Sequence, residues 1–414
     1  KKMKKTVRIQ KIQKEKIMKT HAIRINKMFF TSMLILSLGY PGTVTFNTNV
    51  KVDNLTIETG DKVVVAATFT VTVMGALNIN GTGELEIAAG ATVDVTGAAA
   101  IVGVLDMDGT ARLMVGGDLT FTAATLQDAD GNGIYLDGGS TQTVSGTLAS
   151  GKFDNLICSG GATIFNLTAA IEDSLDTGGQ NFTVSTGKTL TMNAGSVVEV
   201  SGGTWDLTGA ALALNVSSKF LYNTAANATL TGPGVTYGNI EHDGGELTQS
   251  GALHVAGTFT NTSGNFVASQ NITANGIVWT LDAVTGTPAQ AWDIGTDGIT
   301  IAGGTFLATT GAFNVEGNWT KTAGVFNAST SSVNFDKGAA QTITSGAASG
   351  LFYGLKVSNN STVNLADKLE INAGDTLTID GGSTFATLGF DFDDNNAKIT
   401  NNGTFEIHGD ETFT

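Results

Sequence analysis

The chain has 414 residues, among them 54 glycines and three prolines, and it is 41 % hydrophobic but only 14 % charged. Glycine-rich chains of low complexity are poor in apolar residues, whereas this one has enough apolar surface to bury, which excludes disorder. Its net charge is −15; the first 27 residues hold eleven of the 22 basic side chains and leave 11 basic against 36 acidic beyond them, a sign that repels nucleic acid and anionic membranes.

The basic start runs into Met28-Phe29-Phe30-Thr31-Ser32-Met33-Leu34-Ile35-Leu36-Ser37-Leu38-Gly39. A positive n-region, a short apolar run and small residues at Ser37 and Gly39 predict a secretory signal helix with cleavage near Gly39. Residues 1–39 therefore read as a basic extension plus signal segment. The run is shorter than the ~20 residues a membrane helix needs, so membrane contact is expected only through this signal or an anchor. The chain opens on Lys1 and stops at Thr414 inside its own repeating pattern, and so reads as truncated at the C-terminus.

From residue 40 onward, apolar–polar–apolar triplets recur between glycines: Leu77-Asn78-Ile79, Leu85-Glu86-Ile87, Val93-Asp94-Val95, Leu105-Asp106-Met107 and Leu119-Thr120-Phe121. Alternation of this kind sends two side chains inward and one outward. Strands so short are not stable alone, but as rungs of a coil they share one core. No sustained 3.6-residue period appears, and the near-absence of proline suits central, hydrogen-bonded rungs. Triplets step by about eight residues, so three sides predict a parallel β-helix, or β-solenoid, of about 24 residues per turn over residues 40–414. On that basis the strand at Leu77 is expected to pair near Val102 or Leu105. Tandem β-sandwich domains are the competing architecture, and they would pair Leu77–Ile79 antiparallel with Leu85–Ile87.

Longer phrases recur too. Gln142-Thr143-Val144-Ser145-Gly146 with Phe153-Asp154-Asn155-Leu156 returns 199 residues later as Gln341-Thr342-Ile343-Thr344 with Phe352-Tyr353-Gly354-Leu355. Gly257-Thr258-Phe259-Thr260-Asn261 returns as Gly317-Asn318-Trp319-Thr320-Lys321. The spacing places Leu156, Leu355, Cys158 and Val357 on the core face. Residues 317–382 resemble the β-strand-repeat segments of large secreted bacterial surface, adhesin-like proteins. The resemblance implies an exported structural or adhesive solenoid, and it brings no catalytic residues.

Asp128-Ala129-Asp130-Gly131-Asn132 matches the first half of a calcium loop, in which oxygens at alternate positions converge on a hard cation. The twelfth position is Gly139 instead of the required Glu, and a plain turn selects the same residues. Asp128, Asp130 and Asn132 are thus the candidate metal ligands, with calcium the one cofactor in view. Asp391 and Asp393 would share a strand face and could act as a carboxylate pair on a sugar. Cys158, the only cysteine, reads as a small buried hydrophobe, and four single histidines form no metal or protease motif. Trp205, Trp279, Trp292 and Trp319 would stack on sugars only if exposed.

The sequence thus reads as a non-enzymatic, acidic structural or adhesive protein of the cell surface or extracellular space, presenting a rigid repetitive rod. Carbohydrate or other surface proteins are its expected partners, with no nucleic acid. The alternative is a polysaccharide-active β-helix enzyme, a lyase or glycoside hydrolase.

Overall fold

The computed structural model describes residues 42–409 except 129–130, 208, 216, 225–227, 231–235, 250, 269, 281–283, 287–290, 309–310 and 347–350. It also describes two strands upstream, Ala22–Arg24 and Leu34–Leu36. The expected signal segment lies outside the described residues apart from these strands. Among the described residues there is no helix, and so none long and apolar enough to cross a membrane. The chain divides into two compact units, residues 1–191 and 192–414.

In the first unit, from Thr43–Phe46 to Arg112–Val115, strands of three or four residues follow one another around three faces, and longer ones such as Leu119–Asp128 come after. Thr70–Val73 leads to Leu77–Ile79, then Glu84–Ile87, then Thr92–Val95, which lies beside Thr70–Val73 one turn on. The pairing is parallel and in register: Leu55, Leu77, Ala99 and Leu119 are successive partners on one face. Another face follows the same rule, with Val63, Leu85 and Leu105 stacked in turn. Alternation decides burial. Val71, Val73, Leu77, Ile79, Leu85 and Ile87 are sealed from solvent, while the residues between them face outward.

The architecture is the expected all-β parallel solenoid, and the β-sandwich alternative is overturned, because Leu77–Ile79 pairs with Ala99–Ile101 rather than with its sequence neighbour. One turn takes about 21 residues, not 24. The cause is the corners, Met74–Ala76, Asn80–Gly83 and Ala88–Ala91, which are only three or four residues long. The partner of Leu77 is accordingly Ala99; Val102 sits exposed at a corner, and Leu105 stacks on Leu85. Such corners bring turns into close approach. A Cβ on Gly103 would lie 2.0 Å from the carbonyl oxygen of Gly83 in the turn before, so only glycine fits there.

The second unit follows the same parallel rule. Trp292, Phe313, Val333, Leu355, Leu377 and Ile399 succeed one another on one face. Several of its strands run on around a corner, such as Leu253–Ala268 and Leu369–Ile379, and register shifts mark the bends. Leu156 in the first unit and Leu355 in the second are both buried, with Cys158 and Val357 beside them, as the matched phrases predict. This is the class of protein the fold defines: a parallel β-solenoid.

Candidate functional site

The corners account for many of the polar residues that the sequence singles out. Gln142 is buried, and its Nε2 donates to the carbonyls of Val115 and Gly117 at 2.7 Å each, while its Oε1 accepts from Gly138 N–H. Gln341 repeats the arrangement, donating to Val315 and Gly317 and accepting from Lys337 N–H. The recurring Gln is therefore a clamp between turns, not a contact to a ligand. Asx side chains cap the next turn in the same way: Asp118 accepts from Thr143 N–H and Asn318 from Thr342 N–H.

The calcium-like loop is only partly visible. Asp130 and the side chain of Asp128 lie outside the described residues. Asn132 is buried; its backbone N–H and that of Gly131 donate to Asp154 Oδ2, and its side-chain amide reaches the Met107 carbonyl. Asp154, Asn132, Met107, Leu126 and Phe153 border a gap of about 10 Å³, room for one water-sized group. The copy of this phrase 199 residues later lacks the carboxylate, since Tyr353 stands in the place of Asp154.

A carboxylate cluster that sequence order does not reveal is assembled by stacking. Glu84, Glu86 and Asp106 come within 4.8 Å of one another because Glu84–Ile87 and Val104–Met107 pair in register. Lys62, one turn earlier, places its ammonium 2.6 Å from Glu84 and 2.5 Å from Glu86. Burial alone would lower the lysine's pKa, but the hydrogen bonds and charges of the two glutamates outweigh it and raise it. Asp106 is shifted upward, first by burial and then by Asp108, Glu86 and Glu84. The cluster thus carries its own cation.

Asp393 and Asp394 accept from the N–H groups of Asn395 and Asn396, and Lys368 lies 3.7 Å from Asp393. These carboxylates act as turn caps. Burial pushes the Cys158 thiol up to about 12, which keeps it protonated at neutral pH. His242 is buried against Asn261, with Nδ1 2.6 Å from Oδ1. All four tryptophans are core residues and cannot offer an outer stacking face.

One outward cluster has no counterpart in the sequence reading. Thr92, Arg112, Gly133 and Asn155 succeed one another along one outward column, and Asp94, Met114, Tyr135 and Ile157 along the next. The Tyr135 ring leans across Gly133, where a Cβ would meet its Cε2 at 2.8 Å. The Arg112 guanidinium carbon is 5.6 Å from the ring centroid. Arg112 is exposed and makes no ion pair among the described residues, although acids outnumber bases in this chain. Compared with known proteins, the chain matches no family model, no curated protein and no solved structure.

Proposed function

We propose that this chain is a structural or adhesive extracellular protein whose parallel turns present a rigid, repetitive surface. The observation that carries the reading is the in-register ladder with its recurring clamps, in which Gln, Asp and Asn at the corners are spent on holding turns together. Repetition places like groups at ~4.8 Å intervals along a face, which suits many weak contacts made at once. The basic start, the apolar run to Gly39 and the acidic remainder support export to the cell surface or medium. Antibody labelling of intact cells that produce the full chain tests this. Labelling without permeabilisation, or recovery of the chain from the medium, is expected; a chain reached only after permeabilisation overturns the reading.

A further inference from the structure

We infer that the outward cluster of Tyr135, Arg112, Met114 and Ile157 in the first unit is a stacking site for an uncharged sugar ring of a glycan or polysaccharide; this rests on the adhesive reading above. The Tyr135 ring lies close against Gly133 of its own strand, where a Cβ would not fit, and the residue stays half-exposed. The Arg112 guanidinium stands over the ring with its carbon 5.6 Å from the centroid, a cation–π distance, so the donor fork and the aromatic ring lie together at one place on the surface. Met114 and Ile157 flank Tyr135 on the neighbouring turns, which gives the platform apolar margins.

The polar groups around this platform are of the kinds that bind hydroxyls. Arg112 brings a planar fork of donors with no carboxylate occupying it. It is one of three arginines in the chain, the others being Arg8 and Arg24. Asp94 lies one turn before Met114, and Asp137 follows Tyr135 by two residues. The Asp137 carboxyl is shifted upward by burial first and by the Asp94 carboxylate second, so these two acids are electrostatic neighbours. Together they supply acceptors beside a donor fork and an aromatic face.

Other occupants fit less well. A peptide strand would need an open sheet edge, yet Gly133–Leu136 is paired on both sides. An anionic polymer meets a remainder of 36 acidic against 11 basic side chains. A lone cation has no use for an aromatic ring bordered by arginine. A neutral pyranose uses every part: its C–H face against Tyr135, its hydroxyls accepting from Arg112 and donating to the aspartates.

Isothermal titration of the full chain with cellohexaose, xylohexaose and mannohexaose, and with polygalacturonate as the anionic probe, tests the assignment. At least one neutral oligosaccharide is expected to bind with a Kd of about 1 mM, as a single weak site does. Tyr135→Phe should keep that affinity within about threefold and Tyr135→Ala should weaken it about tenfold, the loss of one stacked ring. Arg112→Gln, at an exposed position where folding is not at stake, should weaken it several-fold, and polygalacturonate should not bind. No binding to any neutral probe, equal affinity in Tyr135→Ala and Arg112→Gln, or preference for polygalacturonate overturns the site. A chain that labels on intact cells but binds no sugar would sink this inference alone.

Discussion

Residues 50–119 of the first unit and 279–352 of the second use one backbone plan and fill it differently. In the first stretch the core is Val, Leu, Ile, Met and Ala without a single aromatic ring. In the second, Trp279, Trp292, Phe306, Phe313, Trp319, Phe326 and Phe352 form a continuous cluster, with Trp319 4.7 Å from Phe326 and 5.1 Å from Phe352. The large rings are accommodated by what stacks on them. Trp319 lies between Ile299 and Ile343 on the adjoining turns, and Trp292 is followed by Phe313 and then Val333. The parallel ladder fixes the spacing of turns; side-chain size is then negotiated along each column, so a solenoid can change its filling without changing its rule.

The difference has an energetic cost that the aliphatic stretch avoids. Trp292 Nε1 and Tyr222 Oη, both in the second unit, are buried without a hydrogen-bond partner. Burial also drives the Tyr222 and Tyr237 hydroxyls well above their ordinary pKa, so both stay protonated. What the two units share is the corner clamp, with Gln142 in one and Gln341 in the other bridging two carbonyls of the preceding turn.

These contrasts can be broken in order of expected size. Stacked turns need not unfold in one step, so native-state hydrogen exchange of the flanking turns is the appropriate measurement. Trp319→Ala should cost ~3–5 kcal/mol in the turns that contact it, because no neighbour can fill the space of an indole. Leu85→Ala should cost ~2–5 kcal/mol, nearer the lower figure, since small aliphatic neighbours collapse more readily. A larger loss at Leu85 than at Trp319 would show that ring packing is not what distinguishes the second unit.

Gln142→Leu and Gln341→Leu should each cost ~1–3 kcal/mol by stranding two carbonyls, and by similar amounts if the clamp is one device in both units. Tyr222→Phe removes an orphaned hydroxyl and is expected to leave stability unchanged or raise it by about 1 kcal/mol; a clear loss would mean that the hydroxyl has a partner. The smallest effect is electrostatic. Asp106 in the first unit and Asp336 in the second are shifted upward, first by burial and then by neighbouring carboxylates. A raised folded-state pKa means that the ionised form opposes folding, so protection in these turns should increase as pH falls from 7 through the folded pKa. The gain is complete below the unfolded value near 4. Asp106→Asn should flatten this response in the turns around residue 106 and leave it around Asp137 and in the second unit.

Much of the fold was legible because alternation is a local property. Leu77-Asn78-Ile79 announces two inward residues and one outward, and the structure seals Leu77 and Ile79. The repeat phrases marked equivalent corners, although nothing in Gln142-Thr143-Val144 says that the glutamine reaches back 25 or 27 residues to two carbonyls. The candidate chemistry was less legible. Asp393 is a turn cap, and the acidic group with real proximity, Glu84, Glu86 and Asp106, depends on a register that spans a whole turn. The outward cluster escaped for the same reason, since Arg112 and Tyr135 are 23 positions apart in sequence but on adjacent turns.

By itself the sequence determined the class of structure, because period-two burial, turn glycines and scarce proline act within a few residues of chain. It also determined which side chains are core. The tertiary structure alone decided the length of a turn, since one residue more or less at each corner shifts every partner: about 21 residues puts Ala99 beside Leu77 and Leu105 beside Leu85. That length is set by how closely stacked corners approach, as at Gly83 and Gly103, which is a contact between turns and leaves no mark in either turn's own sequence. Register, in its turn, decided which outward side chains became neighbours, and so which of them could act together.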